Sequence, residues 1–226
     1  MLDISSKRSL LQDIIFNPAY NMQTECPLLW QAFKKLSAGS KIAVVGNGPV
    51  KKDCRRLVEE CNLIIRCNNY LEDTCAELVG RRCELHFMCL HGWIFKERGL
   101  APLEAWGRQA GTSFALENSE CADAMYTELE QKKSPIVLLS ASFREKLFRV
   151  DCTRGFYALA FALQAKRLLN LSPVRVVGFG GPGHHYNPDH PIYHNVRAEH
   201  AIFKEIWEEG AQAEHLEYER FQGVDP

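Results

Sequence analysis

At about 150 residues per domain, a chain of 226 residues holds one domain with decoration and is short for two. Its composition, 46% hydrophobic, 24% charged and 10% aromatic, is that of an ordinary globular protein and excludes extensive disorder, collagen-like repeats and a disulfide mini-protein. With 27 Lys and Arg against 28 Asp and Glu the formal charge is −1, so no general electrostatic footprint for nucleic acid or an anionic membrane is present.

Residues 1–40 carry apolar spacing for helices, at Leu10, Leu11, Ile14 and Ile15 and again at Leu28, Leu29, Ala32, Phe33 and Leu36. The turn from Ser37 to Ser40 separates this helical arm from a domain predicted over 41–226. Ile42-Ala43-Val44-Val45-Gly46 is short, β-branched and apolar throughout, as a strand buried on both faces of a parallel sheet must be. Further strands are predicted over 63–67, 84–89, 136–139 and 174–178, with segments between them long enough for crossovers. A mostly buried helix is expected over 156–169. A second, over 197–209, has Ile202, Phe203 and Ile206 facing inward, an i,i+4 pair of Lys204 and Glu208, and Gly210 as C-cap. The region 93–133 has no clear period. This alternation predicts an α/β fold, a single Rossmann-like open, mainly parallel sheet flanked by helices.

The longest strongly apolar stretch, 156–163, is far below the ~20 residues of a membrane-spanning helix, and the opening MLDISSKRSLLQDIIF lacks a signal-peptide h-region. The nine Cys include no CxxC pair, and several fall in strand-like segments; they are expected to be mostly reduced and buried, in a soluble, cytoplasmic protein.

Three segments place polar or glycine-rich groups just beyond strand ends, where open α/β sheets hold their ligands. In Gly46-Asn47-Gly48-Pro49 two glycines permit close backbone approach and Asn47 offers a donor and an acceptor. No GK[ST] follows, so it is not a P-loop, and it is open to reading as a ligand turn or as a tight strand-to-helix turn. The next strand ends in Arg66-Cys67-Asn68-Asn69, whose amides can bind a nucleoside or merely cap a turn. Thr153-Arg154-Gly155 opens the buried helix and offers N–H groups and a positive dipole end to a phosphate or carboxylate. Beyond it lies GFGGPGHHYNPDHPIYHNVRAEH, where five of eight His residues fall between His184 and His200. Acid–base or phosphate work is the favoured reading of this cluster, against a structural His cluster or zinc held by His184, His185, His190, His194 and Asp189. Cys152, beside the Thr153 turn, has no evident base and reads as a buried thiol.

In order, these segments resemble the sialyltransferases, which use CMP-sialic acid as sugar donor. AVVGNGPVKKDCRRLVEECNLIIRCNN is similar to that family's large motif, TRGFYALAFALQAKRLLNLSPVRVVGFG to its small motif, GHHY to its third motif, and His194 to Glu199 to the H-x4-E spacing of its very small motif. The likeness covers roughly 41–70 and 150–205 and implies the sialyltransferase variant of the GT-A type. By this resemblance Gly46, Asn47, Gly48, Asn68 and Asn69 would contact the nucleotide, and Thr153, Arg154 and Gly155 the donor's phosphate or carboxylate. His185 and Tyr186 would hydrogen-bond the departing phosphate, His194 would be the general base, and Glu199 would orient it or shape the helix start. The reaction so implied is an inverting, metal-independent transfer of sialic acid, or of a related acidic sugar such as Kdo, from its CMP conjugate to the hydroxyl of a glycan or other acceptor. No cofactor is expected, and the sequence has no D-x-D pair to hold a divalent cation. It departs from that family at Arg154, where a small polar residue is usual. The rival expectations are a non-catalytic nucleotide-binding protein of the same fold and a zinc-dependent hydrolase using the His cluster.

Overall fold

A computed structural model describes residues 4–48, 50–68, 76–88, 112–115, 127, 131, 136–179 and 196–216. Seven strands form one sheet: β1 (Ile42–Val45), β2 (Leu63–Cys67), β3 (Leu85–Met88), β4 (Thr112–Ala115), β5 (Ile136–Leu138), β6 (Val174–Val177) and β7 (Ala213–His215). Their order is β5-β4-β3-β2-β1-β6-β7, and all six pairings are parallel. From β1 to β5 the chain steps one way across the sheet; it then returns to the other side of β1 as β6. The direction of winding therefore reverses between β1 and β6, the switch point at which open α/β sheets place a crevice outside the carboxyl ends of their strands.

The strands expected from the apolar runs are all present. Those runs carry no alternation because both faces are covered: every residue of β1 and β2 is buried. Ile42, Val44, Leu63, Ile65, Leu85, Phe87, Val174 and Val176 join the larger core, which includes helices α1 (Ile4–Phe16), α6 (Ala141–Phe148), α7 (Arg154–Leu169) and α8 (Val196–Glu209). On the opposite face Ala43, Val45, Ile64 and Val177 pack with Val58 of α4 (Arg55–Glu59) and Val79 of α5 (Ala76–Val79). Two strands were not legible. β4 reads Thr-Ser-Phe-Ala, half polar, and β7 is a three-residue edge strand, Ala-Glu-His, whose period is too short to register.

Helix α7 is the axis of the larger core. Ten consecutive residues, Phe156 to Ala165, are buried, and Phe161 stacks on Phe87 of β3 with centroids 6.0 Å apart. The helix starts at Thr153, whose hydroxyl caps the Phe156 N–H, and stops at Asn170 in the left-handed region, φ 53°. In α8, Ile202, Phe203 and Trp207 are buried, Lys204 lies 3.8 Å from Glu208, and Gly210 ends the helix at φ 66°.

The N-terminal helices are built into this core. Leu10, Leu11 and Ile14 of α1 are buried, as are Leu29 and Phe33 of α3 (Pro27–Phe33), whereas Leu28 of the expected apolar stripe faces solvent. Gln164, 1% exposed, joins the N-terminal segment to α7: its amide donates to the Ile14 and Tyr20 carbonyls, the latter at 3.0 Å, and its oxygen accepts from Met22 N–H at 2.9 Å. Three backbone groups remote in sequence thus share one side chain. Gln164→Leu leaves them unsatisfied in a dry core and should cost about 3 kcal/mol, read as a lower urea midpoint at unchanged m-value; an unchanged midpoint would refute the assignment.

Candidate functional site

The turns after β1 and β6 interlock at the switch point. Gly46 N–H donates to the Val177 carbonyl at 2.9 Å and Gly48 N–H to the Gly178 carbonyl at 2.8 Å. A Cβ on Gly46 would stand 2.4 Å from the Gly178 oxygen, and one on Gly178, itself at φ 71°, 2.7 Å from the Gly46 oxygen. Neither position admits a side chain. Above them the Phe179 ring fills the gap between two glycines: hypothetical Cβ atoms on Gly46 and Gly155 each come within 3.0 Å of it. Phe179 also meets Phe203 of α8 edge-on, centroids 5.5 Å apart. The β1 turn, the α7 start and the β6 end are one packed unit, although they are separate segments of sequence.

Asn47 reaches sideways from this unit. Its amide nitrogen donates to the Cys67 carbonyl at the end of β2, 3.0 Å away, while its Oδ1 is buried with no hydrogen-bond partner among the described residues. An acceptor held in this way costs free energy unless something donates to it. Asn68, next in line, takes the left-handed conformation at φ 48° and donates its N–H to the Phe87 carbonyl of β3 at 2.8 Å. Its own carbonyl accepts from His86 Nε2, which fixes that imidazole as the Nε2–H tautomer. Burial pushes His86 down to about 4, only partly opposed by this bond. Arg66, the cation in this segment, is 1% exposed and donates to the carbonyls of Val79, Gly80 and Arg82 at 2.8–3.0 Å, so its charge is committed to the carboxyl end of α5.

The start of α7 is held from behind. Glu199, in the first turn of α8 and 2% exposed, accepts from Thr153 N–H at 2.9 Å and from Thr153 Oγ1 at 2.6 Å, and from the ammonium of buried Lys7 at 2.8 Å. Both carboxylate oxygens are therefore engaged at the helix start. The Arg154 guanidinium lies over the Phe148 ring, 5.2 Å from its centroid. Burial pushes the Cys152 thiol up to about 12, with the Glu199 charge adding to it, so it is not a nucleophile at neutral pH.

Of the residues singled out in the sequence, Gly46, Asn47, Gly48, Asn68, Thr153, Gly155 and Glu199 are brought together by these bonds and contacts at the carboxyl ends of β1, β2 and β6, with Arg154 beside them. Pro49, Asn69, His185, Tyr186 and His194, and the rival zinc donors His184, Asp189 and His190, lie outside the described residues. Among the described residues no cluster of three or more metal-ligating side chains occurs. The six described cysteines, Cys26, Cys54, Cys61, Cys67, Cys83 and Cys152, are buried thiols not joined in disulfides, and among the described residues no helix is long and apolar enough to cross a membrane. Lys7 and Phe179 were missed: Lys7 reads as a surface cation of an amphipathic helix, and Phe179 as filler between the glycines of GFG.

No protein-family profile matches this sequence, and no curated protein matches it. Solved structures do. The chain is similar to the crystal structure of a mammalian sialyltransferase at 14% identity and a TM-score of 0.54, and to a mammalian sialyltransferase in complex with Gal-beta-1-3GalNAc-ortho-nitrophenol at 12% identity and a TM-score of 0.55. In both cases 96% of this chain and 80% of the other are covered. The chain therefore has the sialyltransferase fold, a glycosyltransferase architecture.

Two measurements test the packing of the site. Gly155→Ala should destabilise by about 1–3 kcal/mol through the clash with Phe179, and Phe179→Leu in the same chain should recover part of it; simple additivity of the two changes in urea unfolding would show that they do not touch. His86 binds its proton later in the folded than in the unfolded chain. The stability it supports is thus complete above pH 6.5 and falls as the pH drops toward 4, at up to about 1.4 kcal/mol per unit. His86→Gln should flatten that stretch of the stability profile, and an unchanged slope would contradict the burial argument.

Proposed function

We propose that this protein is an inverting, metal-independent glycosyltransferase that moves sialic acid, or a related acidic sugar such as Kdo, from its CMP conjugate to an acceptor hydroxyl. The observation that carries the reading is the buried Asn47 Oδ1 at the switch point, which has no hydrogen-bond partner among the described residues, near the capped amino end of α7. A buried acceptor asks for a ligand N–H or O–H, which a nucleoside supplies. A helix start with its first-turn N–H groups and positive dipole end asks for an anion, which the CMP phosphate or the sugar carboxylate supplies. A CMP-linked acidic sugar offers both in one molecule.

The chemistry follows from the resemblance of the His-rich segment. His194, acting as a neutral imidazole, takes the proton of the acceptor hydroxyl as its oxygen attacks the anomeric carbon. The bond from that carbon to the phosphate oxygen breaks, and CMP leaves with the negative charge. His185 and Tyr186 donate hydrogen bonds to that phosphate, stabilising the charge where it develops. Asn47, Asn68 and Asn69 hold the nucleotide, Gly46 and Gly48 allow its close approach, and Thr153, Arg154 and Gly155 face the anionic part of the donor. Glu199 shapes the helix start through Thr153. The likeness to sialyltransferase structures supports the architecture of this reading, and the residue roles rest on the motifs.

The test is calorimetric titration of EDTA-treated protein with CMP, with UMP and AMP as controls. CMP should bind selectively, Asn47→Ala should weaken it about tenfold or more, and His194→Ala should lower transfer by about 10²–10⁴ while CMP still binds. No selective binding of CMP would refute the assignment. Binding with no turnover in the native chain would leave a nucleotide-binding protein of this fold.

A further inference from the structure

We propose that Lys7, in the N-terminal helix and outside every segment of the resemblance, is a positioning residue for the donor site. The inference rests on the nucleotide-sugar reading above and assigns the site a further supporting element, α1.

Lys7 is fully buried and its ammonium donates to Glu199 Oε1 at 2.8 Å, 192 positions away, and to the Asp151 carbonyl just before the turn into α7. Glu199 in turn accepts from the Thr153 N–H and hydroxyl. Because a carboxylate facing these donors can only accept, the Thr153 hydroxyl must give its proton to Glu199 and take the Phe156 N–H on its lone pair, at 3.1 Å. The chain of donors runs in one direction, from the first turn of α7 into Glu199. Lys7 closes it.

Stability alone does not account for such an arrangement. Removing an ammonium and a carboxylate from water costs several kcal/mol each, and a well-packed apolar pair of similar volume is commonly as stable or more so. An apolar pair cannot, however, accept two bonds from Thr153 or hold the Asp151 carbonyl. What the ion pair supplies is the orientation of the turn 151–153, and with it the direction in which the first N–H groups of α7 point. The same contact fixes the first turn of α8, two residues after His194 in sequence. Small displacements of such groups cost much in a transfer reaction.

The experiment compares wild type with Lys7→Met and with Lys7→Met/Glu199→Leu, whose apolar pair removes both charges. Three properties are read: thermal unfolding, CMP affinity by calorimetry, and hydrogen exchange at the Phe156 amide. The double variant should still unfold cooperatively, losing less stability than Lys7→Met, yet bind CMP at least about tenfold more weakly and exchange the Phe156 amide faster. Lys7→Met, which strands the Glu199 charge, should lose both affinity and stability. A folded double variant with wild-type CMP affinity and wild-type exchange would overturn the proposal, and a double variant that fails to fold would make the pair structural and overturn it too. If wild type itself binds no CMP, the nucleotide reading falls; exchange at Phe156 then decides on its own, faster exchange upholding the positioning role of Lys7 and unchanged exchange ending it.

Discussion

Everything at the carboxyl end of the sheet depends on how closely β1 and β6 approach as they end. Two backbone hydrogen bonds cross from the Gly46 turn to the Val177 and Gly178 carbonyls, in a space where a single Cβ would collide at 2.4 Å. That closeness sets the floor of the crevice and leaves a slot that the Phe179 ring fills, against Gly155 of α7 on one side and Phe203 of α8 on another. Three glycines in three distant segments are thus required by one steric fact. Among the described residues this floor is built from the ends of core elements.

The polar groups around this floor divide by whether the fold uses them up. Arg66 spends its donors on carbonyls behind β2, Gln164 on the N-terminal backbone, and Glu199 on Thr153 and Lys7. Each is a buried group occupied in joining elements, as burial demands. Asn47 is the contrast. Half of its amide is occupied by the Cys67 carbonyl, which aims the other half, and that half meets no protein donor among the described residues.

How much of this was legible follows from the range over which each interaction acts. Strands β1, β2, β3, β5 and β6 announce themselves as short, mainly apolar local runs; β4, with Thr112 and Ser113, and the three-residue edge strand β7 offer no such run. The caps were readable as well: Thr153 three residues before Phe156 and Gly210 after α8 act within one turn. The glycines of the GNG segment were visible as an opening for a ligand, but the packing of Gly46 and Gly155 on Phe179 was not, since it joins positions far apart in sequence. Lys7 was invisible for the same reason. In its own neighbourhood, Ser-Lys-Arg-Ser, it is a solvated cation, and only the placement of α1 against α7 and α8 turns it into the partner of Glu199.

Helix α7 carries both halves of the protein's work, and this explains why the site is demanding of the core. Its interior packs Phe161 on Phe87 and holds Gln164 against the N-terminal segment, while its first residue cap faces the crevice. Between them Tyr157 donates to the Leu147 and Val150 carbonyls, fastening the connection from α6 to the start of α7, and burial drives its phenol well above the ordinary range. A shift of α7 along its axis would therefore break contacts at both ends at once. The geometry at the start of α7 is set by the packing of the whole helix, so substitutions deep in the core are coupled to the switch point through the rigid body they share.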